Sequence, residues 1–187
     1  MSKWSLENGR WGRVLNVPKE YTDINGKYTL LKLIGVDAVI FNANPDGKFY
    51  TEDCMVRSAT TVLNFPDLEL AVDQYETVYL GIAETGRKKH LMMNHIGVLK
   101  DYLEDKGYEA IDFDDNMGLG QFLATHKVGK YIVCCDTHAF PYIDGIIYDT
   151  SNGIEQIEYN LGHRIRLVYY EKATSVLAFN DRMWQHI

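Results

Sequence analysis

Three observations predict an α+β fold, an N-terminal helical layer packed on a C-terminal antiparallel sheet. Apolar residues recur at three- and four-residue spacing from Cys54 towards His126. After Gly129 the pattern changes to short β-branched and aromatic segments separated by turns. No fixed-period repeat or low-complexity linker divides the 187 residues, a length that suits one well-packed domain. Helices first and strands later is the pattern of segregated layers. The simplest division is an N-terminal extension, residues 1–48, with β-strands packed on a main body of residues 49–187.

In chain order, the first 50 residues carry the turn signals Asn25-Gly26, Asn44-Pro45 and Asp46-Gly47 around a β-rich apolar stretch, 29–41, expected to give one or two strands. Met55, Val56, Ala59, Val62 and Leu63 then mark a helix over 54–64, with Cys54 in its first turn. A second helix follows Phe65-Pro66-Asp67, where Asp67 or Glu69 suits the positive end. It should continue to Ile82 and stop at Thr85-Gly86. A third helix is predicted from Asn94 to Lys106, closed by Gly107. A short strand over 108–113 and a short helix over 119–126 complete the first half. Strands are then expected at 131–135, 138–143, 146–150 and 165–170.

Composition narrows the function classes. With 46% hydrophobic and 24% charged residues the chain reads as a soluble globular protein. A net charge of -7 argues against nucleic acid as a partner, and the run Arg87-Lys88-Lys89-His90 is better explained as a solvated loop. The apolar runs at 34–41 and 131–135 fall far short of a membrane span. The first residues, Met1-Ser2-Lys3-Trp4-Ser5, lack the apolar core of a secretory signal, so the expected location is the cytoplasm. Three cysteines do not make a disulfide framework, and Cys134-Cys135 read as a reduced, buried strand. No histidine has the matched spacing of a metal site, so neither metal nor cofactor is expected.

The chemistry-bearing residues come from one hairpin. Asp144-Gly145 is a strong two-residue turn signal, because both central positions of a type I′ turn need positive φ. That register pairs Ile143 with Ile146, Tyr142 with Ile147, Pro141 with Tyr148 and Phe140 with Asp149. His138, Phe140 and Asp149 then project from one face, and Asp149 is the diagonal neighbour of His138, with Cβ atoms roughly 5–7 Å apart. A carboxylate so placed fixes the imidazole tautomer and stabilises the imidazolium. Cys54, at a predicted helix start, is the cysteine best placed to be the nucleophile, since a helix N-terminus and an imidazolium both favour thiolate.

These segments resemble a group of papain-like cysteine-peptidase-fold proteins common in bacteriophages and bacteria. The resemblance rests on Asp53-Cys54-Met55-Val56-Arg57-Ser58, Gly129-Lys130-Tyr131-Ile132-Val133, His138-Ala139 and Asp144-Gly145-Ile146-Ile147-Tyr148-Asp149-Thr150. It covers roughly residues 50–170. It implies a papain-like fold, with Cys54 as nucleophile, His138 as general base and then acid, and Asp149 as the orienting residue. Such enzymes commonly place a side-chain amide shortly before the cysteine to bind the oxyanion, whereas Lys48, Phe49, Tyr50, Thr51, Glu52 and Asp53 supply none. The Cys54 backbone N–H and either Gln121 or Asn152 are the remaining donors. Glu52 and Asp53 would also raise the thiol pKa if they face it.

The implied function is a cysteine hydrolase or acyl-transfer enzyme acting on a peptide, isopeptide or side-chain amide bond of a protein or peptide substrate. The alternative is a weakly active or inactive papain-like scaffold that binds a host protein, in the host cytoplasm if phage-encoded. The 13 tyrosines suit such an interface.

Overall fold

The computed structural model describes residues 28–49, 53–93, 95–111 and 117–172. The expectations on residues 1–27, on 50–52, on the helix start at Asn94 and on the strand end at Phe113 lie outside them. Twelve elements follow in order: α1 (Thr29–Leu33), β1 (Asp37–Ile40), α2 (Cys54–Asn64), α3 (Leu68–Lys89), α4 (Ile96–Glu104), β2 (Tyr108–Ile111), α5 (Leu119–Thr125), β3 (Lys130–Cys135), β4 (His138–Ile143), β5 (Ile146–Asp149), α6 (Ser151–Tyr159) and β6 (Leu167–Glu171).

The fold is α+β, with helices packed against one six-stranded sheet in the order β1-β5-β4-β3-β6-β2. Two features differ from the sequence expectation. The sheet is mixed, because β1 runs parallel to β5 from Asp37 opposite Ile146 to Ile40 opposite Asp149, while the other pairings are antiparallel. Helices also cover both faces. Alternation along β3 sends Ile132 and Cys134 into a core with Val56, Ala59 and Val62 of α2 and with α3 and α4. Val133 and Cys135 enter a second core with α1, α5 and α6, through Leu31, Phe122 and Ile154 among others.

Residues 28–48, the described part of the first segment, are joined to the main body. β1 belongs to the same sheet as the later strands, and Asn44 donates to Asp53 across the proposed boundary. The stretch read as strands over 29–41 is a short helix followed by β1. One helical turn is too short to show a period, and apolar residues at 30, 31, 33 and 34 fit either structure.

Helix α3 runs past Thr85-Gly86 to Lys89 and stops at His90, which is left-handed with φ 57°. Gly86 serves close packing instead, since a Cβ there would lie 2.9 Å from the Leu91 carbonyl oxygen. The basic run at 87–89 is the last turn of α3, where cations suit the negative end of the helix, and only His90 lies beyond it. Among the described residues no helix is long and apolar enough to cross a membrane.

The Asp144-Gly145 hairpin forms with positive φ at both residues, 49° and 83°. Its ladder keeps the expected register for Tyr142 opposite Ile147 and Ile143 opposite Ile146, then ends. The next rung would need a donor from Pro141, which has no N–H. Pro141 is tolerated because its nitrogen faces β5, where pairing stops, while its pairing with Ile132 of β3 is kept.

Candidate active site

Cys54 opens α2 on one face of the sheet; His138 and Asp149 project from the other, in step with Phe140, Tyr142 and Ile147. They meet at the end of β4. The His138 Nε2 lies 2.5 Å from Asp149 Oδ2, with both residues buried. Asp149 therefore accepts the Nε2 proton, leaving Nδ1 as the ring nitrogen available to the Cys54 thiol, whose pKa the imidazole lowers. The imidazole stacks on Phe140 with centroids 6.1 Å apart. The three residues singled out from the sequence are thus brought together, by side-chain contact beyond the last ladder rung.

The opposite oxygen of Asp149 is also occupied. Its Oδ1 accepts from the Thr150 backbone N–H at 2.7 Å and faces Arg57 Nη1 at 3.3 Å. Arg57, one helical turn after Cys54, places its Nε 2.8 Å from Asp53 Oδ1. Asp53 in turn accepts from Asn44 Nδ2 at 2.9 Å and from the Tyr75 hydroxyl at 2.5 Å. A continuous polar path therefore runs from Asn44 and Tyr75 through Asp53, Arg57, Asp149 and His138 to the thiol.

Sequence reasoning missed Arg57, Asn44 and Tyr75. The Asp53–Arg57 spacing of four on a helix was the available signal. It also changes the expectation for Asp53, which sits at the N-cap without capping α2 through its side chain. Its charge is held by Arg57 and two neutral donors.

The electrostatics favour a thiolate–imidazolium pair. Burial pushes the Cys54 thiol up, but the hydrogen bond and charge of His138, the Ala139 backbone N–H and the charge of Arg57 outweigh it and leave the thiol below its ordinary value. Burial likewise opposes charge on His138, yet Asp149 and Cys54 raise it to about 9. The neighbouring thiols behave oppositely. Cys134 is pushed up by burial, and Cys135 is pushed up to about 11 by burial and by Asp136.

Cys54 and His138 line a cleft of about 980 Å³, with Asp149 buried behind them. Of the two amides proposed for the oxyanion, Asn152 lines this cleft from α6. Gln121 does not; it lies on the exposed side of α5, a helix that packs on the second core. The amide of Asn44 is committed to Asp53 and to the Lys48 carbonyl. Among the described residues no group of three or more His, Cys, Asp or Glu side chains is placed to hold a metal.

Helix α6, absent from the sequence expectation, closes the site behind Asp149. Thr150 caps it by accepting from Gly153 N–H at 3.0 Å. Ile154 and Ile157 carried the helical signal, but Asn152-Gly153 reads as a turn. The glycine is required, because a Cβ at position 153 would lie 2.3 Å from Asp149 Oδ2. Gly153→Ala is expected to cost about 1–3 kcal/mol and to slow Cys54 alkylation at pH 7, checked by thermal melting and intact mass. An unchanged alkylation rate would contradict this account of residue 153.

Comparison of the chain with family models, curated proteins and solved structures returned no match.

Proposed function

We propose that the chain is a papain-like cysteine hydrolase or acyl-transfer enzyme acting on peptide, isopeptide or side-chain amide bonds. One observation carries this reading: Cys54 and His138 line a single cleft, the imidazole lowers the thiol's pKa, and its Nε2 lies 2.5 Å from a buried carboxylate. The nucleophile, base and orienting residue are in the mutual contact that acyl transfer requires.

The reaction balances with these groups. The Cys54 thiolate attacks the substrate carbonyl carbon, forming the S–C bond, and the backbone N–H groups at the start of α2 face the developing oxyanion. As the C–N bond breaks, His138 gives its proton to the leaving nitrogen. Water then loses a proton to His138 and attacks the thioester; the S–C bond breaks and the acid is released. Asp149 stays ionised and keeps Nε2 protonated.

Cys54→Ala is expected to abolish peptide cleavage, a loss of about 10⁴-fold or more, with the melting temperature little changed. Mass spectrometry of a peptide mixture incubated with each form checks this. Equal cleavage by both forms would overturn the proposal.

A second reading, a papain-like scaffold that binds a host protein without turnover, draws on the commitment of the Asn44 amide to Asp53 and to the Lys48 carbonyl. It predicts a stoichiometric complex that survives Cys54→Ala and no acyl-enzyme with any peptide.

A further inference from the structure

The cleft is chemically two-sided, and the sheet orients it. On the α2 side, Met55, Tyr79, Ile82, Met93 and Leu99 form an apolar wall continuous with the core that contains Cys54. Phe49 extends this wall, stacking on Tyr79 with centroids 3.9 Å apart while remaining 49% exposed. It holds a left-handed backbone, φ 69°, which is costly for an aromatic residue. Met92, next to Met93, is 76% exposed. Methionines on such a rim adapt to varied apolar side chains.

The opposite wall is polar. Thr137, Asn152, Gln156 and Arg166 line it, with Gln156 Nε2 donating to Thr137 Oγ1 at 2.7 Å. Arg166 Nε lies 2.7 Å from Asp136 Oδ1, and both side chains are substantially exposed. Asp136 also lies within the charge influence of His163 and Arg164. Arg166, paired with Asp136, is thus the cationic side chain that lines this end of the cleft.

His138 fixes which wall meets which part of a substrate. It must protonate the leaving nitrogen, and it sits on the α6 side, so the amine-side residues lie along the polar wall. The acyl group is left to the apolar wall. Asn152 accordingly lies on the amine side of the reacting bond, not over the carbonyl oxygen.

We propose that the cleft takes an extended peptide with a bulky apolar residue on the carbonyl side of the reacting bond and an acidic residue on its amine side. This inference rests on the reading of Cys54 as an acyl-accepting nucleophile. Arg166 exchanges its Asp136 contact for the substrate carboxylate, the geometry a guanidinium fork favours.

The test uses peptides carrying a fumaramide electrophile, flanked by Leu, Asp or Lys on the carbonyl side and by Glu, Ser or Lys on the other. Alkylation of Cys54 is followed by intact mass. The Leu/Glu peptide should react about ten-fold faster than peptides with Asp on the carbonyl side or Lys on the amine side. Arg166→Glu, on an exposed side chain, should invert the amine-side preference from Glu to Lys; Met93→Lys should remove the preference for Leu. Rates independent of the flanking residues, with iodoacetamide still selecting Cys54, would overturn this inference and leave the hydrolase reading standing. Iodoacetamide failing to select Cys54 over Cys134 would overturn both.

Discussion

Arg57→Met lowers the free energy of unfolding by about 3–5 kcal/mol at neutral pH, the cost of leaving buried charge unpaired. Arg57 stands between two carboxylates, 2.8 Å from Asp53 and 3.3 Å from Asp149, and the two aspartate side chains are 5% and 2% exposed. Methionine fills the space of the aliphatic stem and removes the charge, so Asp53 stays desolvated with neutral donors only and Asp149 keeps His138 but loses its second cationic partner. Arg57→Lys recovers part of the loss, because an ammonium cannot span both sites as the guanidinium does. Adding Asp53→Asn to Arg57→Met also recovers part, since the stranded charge is gone. Urea denaturation of the four proteins checks the series. A loss below about 1 kcal/mol in Arg57→Met would mean that the path through Asp53 and Asp149 is not a coupled charge network.

His138→Gln slows alkylation of Cys54 at pH 7, since the raised thiol loses thiolate. Burial raises this thiol, and the hydrogen bond and charge of His138 are the largest effects opposing it. Removing both lets burial dominate. The same substitution changes stability with pH. The His138 imidazolium is raised from 6.5 to about 9 by Asp149 and Cys54 against burial, so its contribution is fully present below pH 6.5 and is lost as pH rises through about 9. The lowered Cys54 thiol acts in the opposite sense, gaining stability as pH rises towards its ordinary value of 9.0, so the two cancel in the wild type. The decline is expected in Cys54→Ala, where Asp149 alone raises His138, and should be absent from the Cys54→Ala/His138→Gln double variant. Denaturant midpoints at pH 6, 7.5 and 9 measure it.

The legible parts of the fold were those governed by local rules. Asp144-Gly145 fixed a two-residue turn, and the turn fixed which face His138 and Asp149 share. The helical spacing from Met55 to Leu63 put Cys54 at a helix start. What could not be read depended on contacts distant in sequence. No local pattern shows β1 pairing parallel to β5, because the partner is more than 100 residues away. Helix α6 was hidden by Gly153, whose identity is set by the Asp149 carboxylate packed against it.

The candidate site divided the same way. The triad followed from register and resemblance, while its support did not. Asp53 looked like a charge that would hinder the thiol; its carboxylate is instead bonded to Arg57, Asn44 and Tyr75. Gln121 was attractive as an amide but sits on a helix serving the other face of the sheet. Pro141 illustrates the intermediate case. It ended the ladder that the turn had started, yet the side chains beyond still met.

The central claim is that Cys54 is an activated thiolate paired with His138. The direct measurement is the rate of iodoacetamide labelling from pH 5 to 10, read separately at each cysteine by peptide mass mapping. The account predicts that Cys54 labels well below pH 8 with a half-rate below its ordinary value of 9.0, while Cys134 and Cys135 stay nearly inert until the chain unfolds. Equal rates at the three cysteines, or a Cys54 rate that rises only above pH 9, would contradict it.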